Sequence, residues 1–181
     1  VRMRTTASIV ALRPTSRGAL VAVHLTTSDS EGMVAETLWK TIYLGLDCEA
    51  AGAEPAPELV PMPGDGKDVA IPVAPGFAHL YTECAGIWNP IHTERAVAAS
   101  IGLPDIITHG TALWALAGEA LIDAFGDGDP ARVRRLSCCF KGPVVPGTGM
   151  VLRTRGMSGG ACFEARADHQ LVLINGILET D

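Results

Sequence analysis

The residues able to do chemistry gather in two short segments. Tyr81-Thr82-Glu83-Cys84-Ala85-Gly86-Ile87-Trp88-Asn89-Pro90-Ile91-His92 ends in an Asn-Pro-x-His turn, and Thr108-His109-Gly110-Thr111 opens the most hydrophobic helical stretch of the chain. An imidazole titrates near neutrality, which makes His92 a candidate general base and acid. Read together, the segments describe a site that holds an acyl thioester beside a histidine. Plainer readings stand next to this one. His92 also suits a capping or core role after a proline turn, and His109 suits a ring that bonds backbone and shapes the turn at Gly110. Asn89 fits a loop-bonding role. Tyr81 fits either a hydrogen bond near the site or simple packing, and Trp88 and Trp114 fit either an acyl slot or the core.

The elements that must position these groups follow from pattern. Apolar and β-branched runs with turn signals at Pro14–Gly18 and Asp29–Gly32 predict three strands within residues 2–46, in a sheet covered partly on both faces. Residues 48–68 are rich in Ala, Glu, Pro and Gly and read as a linker. A short strand is predicted over about 69–73, a short helix or turn over Gly76 to Gly86, and a second short helix over Thr93 to Ser100, closed by Gly102. The long helix runs from Thr108 or His109 to Phe125 and has almost no polar face, so a sheet must wrap it. Strands over about 132–142, 149–157, 160–168 and 170–179 complete the chain, and the last three echo residues 2–46 in order. Residues 69–148 have no counterpart ahead of Val1. The chain therefore reads as the tail of one repeat followed by a complete second one, which predicts a homo-oligomer, a partner chain or residues preceding Val1.

Composition narrows the classes. The 181 residues are 48% hydrophobic with a net charge of −6, and no broad basic face is present, which argues against a nucleic-acid partner. No apolar run reaches the ~20 residues of a membrane helix, and the reading is cytoplasmic, with no membrane partner. Five cysteines (Cys48, Cys84, Cys138, Cys139 and Cys162) lack Cys-x-x-Cys spacing, so neither a metal site nor a disulfide framework is expected. Arg132, Arg134 and Arg135 form the one basic cluster; a coenzyme A phosphate or plain strand surface would each account for it.

Tyr81-x-x-x-x-Gly86-x-x-Asn89-Pro90-Ile91-His92, followed by His109-Gly110 at the head of an apolar helix, resembles the MaoC-like, (R)-specific enoyl-CoA hydratases and dehydratases. The resemblance covers about residues 69–181. It implies an α+β hot-dog fold, an antiparallel sheet curled around a central helix, with residues 1–47 as the strands of a partial first repeat, 48–68 as linker and 69–181 as the motif-bearing repeat. It implies action on acyl thioesters of coenzyme A or an acyl carrier protein, with no cofactor beyond that carrier. His92 matches the catalytic histidine, and Gly110 matches the glycine whose N–H holds the thioester oxygen. A glycine N–H at a helix start permits close approach and suits the charge that builds there.

One position departs from the pattern. The family's aspartate, two residues before Asn89, falls on Ile87, which cannot orient water or take a proton. Three readings follow. Another carboxylate substitutes, with Glu83 preferred because it lies one helical turn before Ile87, and with Glu94 and Asp105 as further candidates. His92 works alone. Or the site, with Tyr81, Ile87, Trp88, Asn89 and His109 as its binding residues, holds an acyl thioester without turning it over.

Overall fold

The computed structural model describes residues 2–53 and 65–181. Its contacts divide the chain into two units, Val1–Pro57 and Glu58–Asp181. Residues 54–64, the centre of the predicted linker, lie outside the described residues.

The first unit is a four-stranded antiparallel sheet in the order β3-β2-β1-β4, built from β1 (Arg4–Thr15), β2 (Gly18–Ser28), β3 (Met33–Leu44) and the two-residue β4 (Ala51–Gly52). The three predicted strands are present. Among its described residues the unit has no helix of its own to supply the predicted cover on both faces. Ile9 pairs with Val23 and Val23 with Trp39, so the three share one face, and Trp39 is 60% exposed. β4 pairs with Leu12 and Ala11, which places part of the expected linker in the sheet.

The second unit carries the site. Its five strands are all antiparallel, in the order β5-β7-β8-β9-β6, from β5 (Lys67–Ile71), β6 (Val133–Phe140), β7 (Met150–Met157), β8 (Gly160–Ala167) and β9 (Gln170–Thr180). β5 begins earlier than its apolar pattern indicates. Asp68 makes a two-bond ion pair with Arg153 of β7 (2.7 and 2.8 Å), so a polar residue belongs to the ladder.

Between β5 and β6 lie α1 (Phe77–Ala85), a 3-10 turn (Pro90–His92), α2 (Arg95–Ser100) and α3 (Gly110–Phe125). Ala112, Leu113, Ala117, Gly118 and Leu121 form the buried face of α3. Leu113, Ala117 and Leu121 enter a core with Leu152, Phe163, Val172, Leu173 and Leu178 of the sheet. Thr111, Ala115 and Glu119 remain exposed, so the sheet covers one side of the helix rather than all of it. This is the hot-dog arrangement expected from the resemblance, and it presents the amino end of α3 at the rim of the sheet.

Candidate active site

Local chain geometry brings the two motif segments together. Thr82, inside α1, sends its hydroxyl hydrogen to Ala78 O (3.0 Å) and leaves its lone pairs free. Gly86 then adopts a left-handed conformation (φ 64°) that stops α1 and redirects the chain. Asn89 caps the next turn, its Oδ1 accepting from Ile91 N (3.3 Å) while Pro90 takes the first position, where its missing N–H costs nothing. The turn delivers His92 inward, 8% exposed. There Ile107 N donates to Ile91 O (3.2 Å), and His92 Nδ1 donates to Ile107 O (2.7 Å). A carbonyl only accepts, so the neutral ring carries its proton on Nδ1 and its lone pair on Nε2.

His109 stands directly behind. Its ring stacks on His92 with centroids 3.6 Å apart, and Tyr81 packs on it at 5.0 Å. His109 Nε2 donates to Ile87 O (3.3 Å) and lies 3.4 Å from Thr82 Oγ1, the hydroxyl whose proton is already committed. Burial pushes the His109 imidazole below its ordinary range, the neighbouring His92 adds to that, and the Ile87 carbonyl opposes it. His109 is therefore held toward its neutral form.

At the head of α3, the N–H groups of Gly110 and Thr111 have no acceptor among the described residues. Thr108 N is tied to Val144 O (2.7 Å), and the ring of Phe140 lies against Gly110. Thr108 Oγ1 and His109 Nδ1 are buried without hydrogen-bond partners. A ring nitrogen free to accept a proton and a helix-start N–H free to bind an oxyanion thus belong to one cluster, joined through the stacked His109.

Several expectations need correction. Glu83 and Ile87 do not share a helix face, because α1 ends at Ala85; Glu83 is exposed and makes no hydrogen bond or ion pair among the described residues. Asp105 is held by Arg95 Nε (3.0 Å) and Ile106 N (2.7 Å). Among the described residues no carboxylate bonds to His92 or His109. His109, expected at the substrate, is 2% exposed and supports His92 instead. The Tyr81 hydroxyl bonds Thr111 Oγ1 (3.1 Å), and Asn89 serves its turn. Ile87 and Trp88 are 42% and 68% exposed on the loop before that turn. The arginine cluster is paired within the protein, Arg132 with Asp127, Arg134 with Asp181 and Arg135 with Glu179. Thr82, Ile107, Thr111 and Phe140 touch the candidate residues His109, His92, Tyr81 and Gly110 respectively, contacts that sequence reasoning missed.

A family model for the MaoC like domain matches residues 63–166. The chain belongs to the MaoC-like family. Enoyl-CoA hydratase ChsH3 of Mycobacterium tuberculosis is 30% identical over 137 residues, covering 72% of this chain and 46% of that protein. 3-Hydroxyacyl-thioester dehydratase Y of the same organism is 29% identical over 163 residues, covering 83% and 55% respectively. The chain thus spans about half the length of the curated relatives it matches. A MaoC-like dehydratase from Phytophthora capsici superposes with a TM-score of 0.84 at 23% identity, over 99% of this chain and 64% of that one. That superposition establishes the shared fold.

Proposed function

We propose that this MaoC-like chain adds water to 2-enoyl thioesters, and in reverse dehydrates 3-hydroxyacyl thioesters, carried on coenzyme A or an acyl carrier protein and with no cofactor of its own. The observation that carries this reading is the tautomer of His92, whose Nδ1 is committed to Ile107 O so that the Nε2 lone pair is available. His92 Nε2 takes a proton from water as the water oxygen bonds to C3. The C2–C3 π electrons move toward the carbonyl carbon, and the thioester oxygen gains charge and accepts from Gly110 N–H. The imidazolium then gives its proton to C2 as the carbonyl re-forms, which restores neutral His92. One base handles both proton transfers, so no step calls on a carboxylate at residue 87. The named activities of the Mycobacterium relatives support the substrate class.

A second reading rests on Ile87. Without the carboxylate, the chain binds an acyl thioester as a non-catalytic subunit. The experiment follows loss of the conjugated thioester absorbance with short and medium 2-enoyl-CoA, for wild type, Ile87→Asp and Glu83→Gln. The single-base reading expects turnover by wild type, a gain in Ile87→Asp and no change in Glu83→Gln. Silence in wild type with activity appearing in Ile87→Asp sinks it in favour of the second reading.

The same proposal includes association, either as a homo-oligomer or with a hot-dog partner chain. It is supported by the apolar residues that the first sheet leaves uncovered, Trp39 among them. Sedimentation of the purified chain is expected to give a mass above the 18.9 kDa of one copy, or to do so once its partner is added. A monomer under both conditions removes association from the proposal.

A further inference from the structure

We propose that Tyr81 is a positioning residue of the reaction, a brace through which α1 fixes the amino end of α3 relative to the His92–His109 pair. This rests on the reading of Gly110 as oxyanion donor given above, and it assigns Tyr81 no contact with substrate.

The start of α3 needs such a brace. His109 occupies the cap position, but its side chain makes no cap bond and stacks on His92 instead. Helices commonly satisfy a first-turn N–H through a Ser, Thr, Asn or Asp side chain at that place. Here Gly110 follows at once, and glycine has the most backbone freedom to lose. An uncapped end that opens on glycine frays readily, whereas an oxyanion donor has to stay within about 0.5 Å of its place. Ahead of the helix Thr108 N is tied to Val144 O (2.7 Å), and the Phe140 ring rests against Gly110. Neither contact refers the helix start to the candidate base.

Tyr81 supplies that reference. It is half-buried in the middle of α1, and its ring lies 5.0 Å from that of His109. The ring of Phe77, one turn earlier on the same helix, lies 6.3 Å away. Thr82, the next residue, brings Oγ1 to 3.4 Å from His109 Nε2, so two adjacent α1 side chains meet that histidine. Packed on two rings, the phenol is held in place, and its hydroxyl donates to Thr111 Oγ1 (3.1 Å). Thr111 is the second residue of α3, directly after Gly110. One side chain thus joins the histidine behind the base to the helix turn that carries the oxyanion donor. Thr111 is exposed, so this bond competes with water and adds little to stability. Its consequence is geometric, and a misplacement of about 1 Å at a reacting group costs about 100-fold in rate.

The test is steady-state hydration of 2-butenoyl-CoA by wild type, Tyr81→Phe, Thr111→Val and the double variant, each shown to be folded by its melting curve. Tyr81→Phe keeps the ring contacts and removes only the hydroxyl. It is expected to lower kcat by about 10-fold with KM nearly unchanged, as for an interaction felt in the transition state. Thr111→Val gives a similar loss, and Thr111→Ser, which keeps a hydroxyl, loses less. The double variant falls no further than either single one, because both substitutions remove the same bond. An unchanged kcat in Tyr81→Phe, or losses that multiply in the double variant, overturn the proposal. A raised KM with kcat unchanged also overturns it, since Tyr81 would then be a substrate contact. A second measurement does not depend on turnover. The carbonyl stretch of bound butanoyl-CoA, isotopically labelled at the carbonyl carbon, is lowered by the Gly110 N–H bond and is expected to rise in Tyr81→Phe. Equal frequencies in the two proteins contradict the brace. A failure of the hydratase reading is distinguishable, since wild type would then show no turnover while the difference in carbonyl frequency persists.

Discussion

His109 is buried, neutral and stacked on the candidate base, and its titration therefore reports on the integrity of the pair. In the unfolded chain its imidazole titrates near the ordinary value of about 6.5. In the folded protein burial and His92 hold it lower. Between the folded and unfolded values the unfolded chain binds the extra proton, so this group's contribution to stability is present above the unfolded value and is lost as pH falls below it toward the folded one. Melting temperature measured from about pH 7.5 down to about pH 5 should fall less steeply in His109→Phe than in wild type, whatever the offset between the two curves. Parallel curves would show that His109 is not the depressed member. At this scale the segments that carry His92 and Gly110 were legible in the sequence because the family resemblance rests on the Asn-Pro-x-His turn and the His-Gly helix start, and the roles proposed for the two residues come from that resemblance. The Ile107 and Ile87 carbonyls were not, since a backbone acceptor has the same chemistry at every residue. The exposed Glu83 shows the complementary limit, because i,i+4 spacing means a shared face only while the helix lasts.

Element by element, the recoverable features were those with strong local causes. α3 ends at Phe125 as its apolar run indicates and begins at Gly110, one or two residues later than the run suggests, and the hairpin strands of the first unit follow their turn residues. Gly86 was read correctly as the limit of α1, yet the same glycine defeats the Glu83–Ile87 pairing, since its left-handed backbone turns Ile87 off the helix. The weak spots are places where partners across the sheet decide. β4 is two residues long and β5 opens on Lys67 and Asp68, so neither shows a period to detect. Phe140 is similar. From sequence it is an apolar residue at a strand end, and only the close approach of β6 to the α3 amino terminus sets its ring against Gly110.

For the whole molecule, the hot-dog fold and the MaoC-like family follow from the motif, the sheet order and the match over residues 63–166. No helix among the described residues is long and apolar enough to cross a membrane. The contact division falls between Pro57 and Glu58, inside the stretch read from sequence as a linker over residues 48–68. The reading of residues 1–47 as a partial repeat expects strands with no helix of their own to cover them, and the first unit has no helix among its described residues. All of this positions one histidine. The most direct measurement compares hydration of a 2-enoyl-CoA by wild type and by His92→Ala, at equal concentrations and with both shown to be folded. The account predicts turnover by wild type and a loss of about two to four orders of magnitude in the variant, the usual contribution of a general acid–base. Turnover at the same rate in both would contradict it.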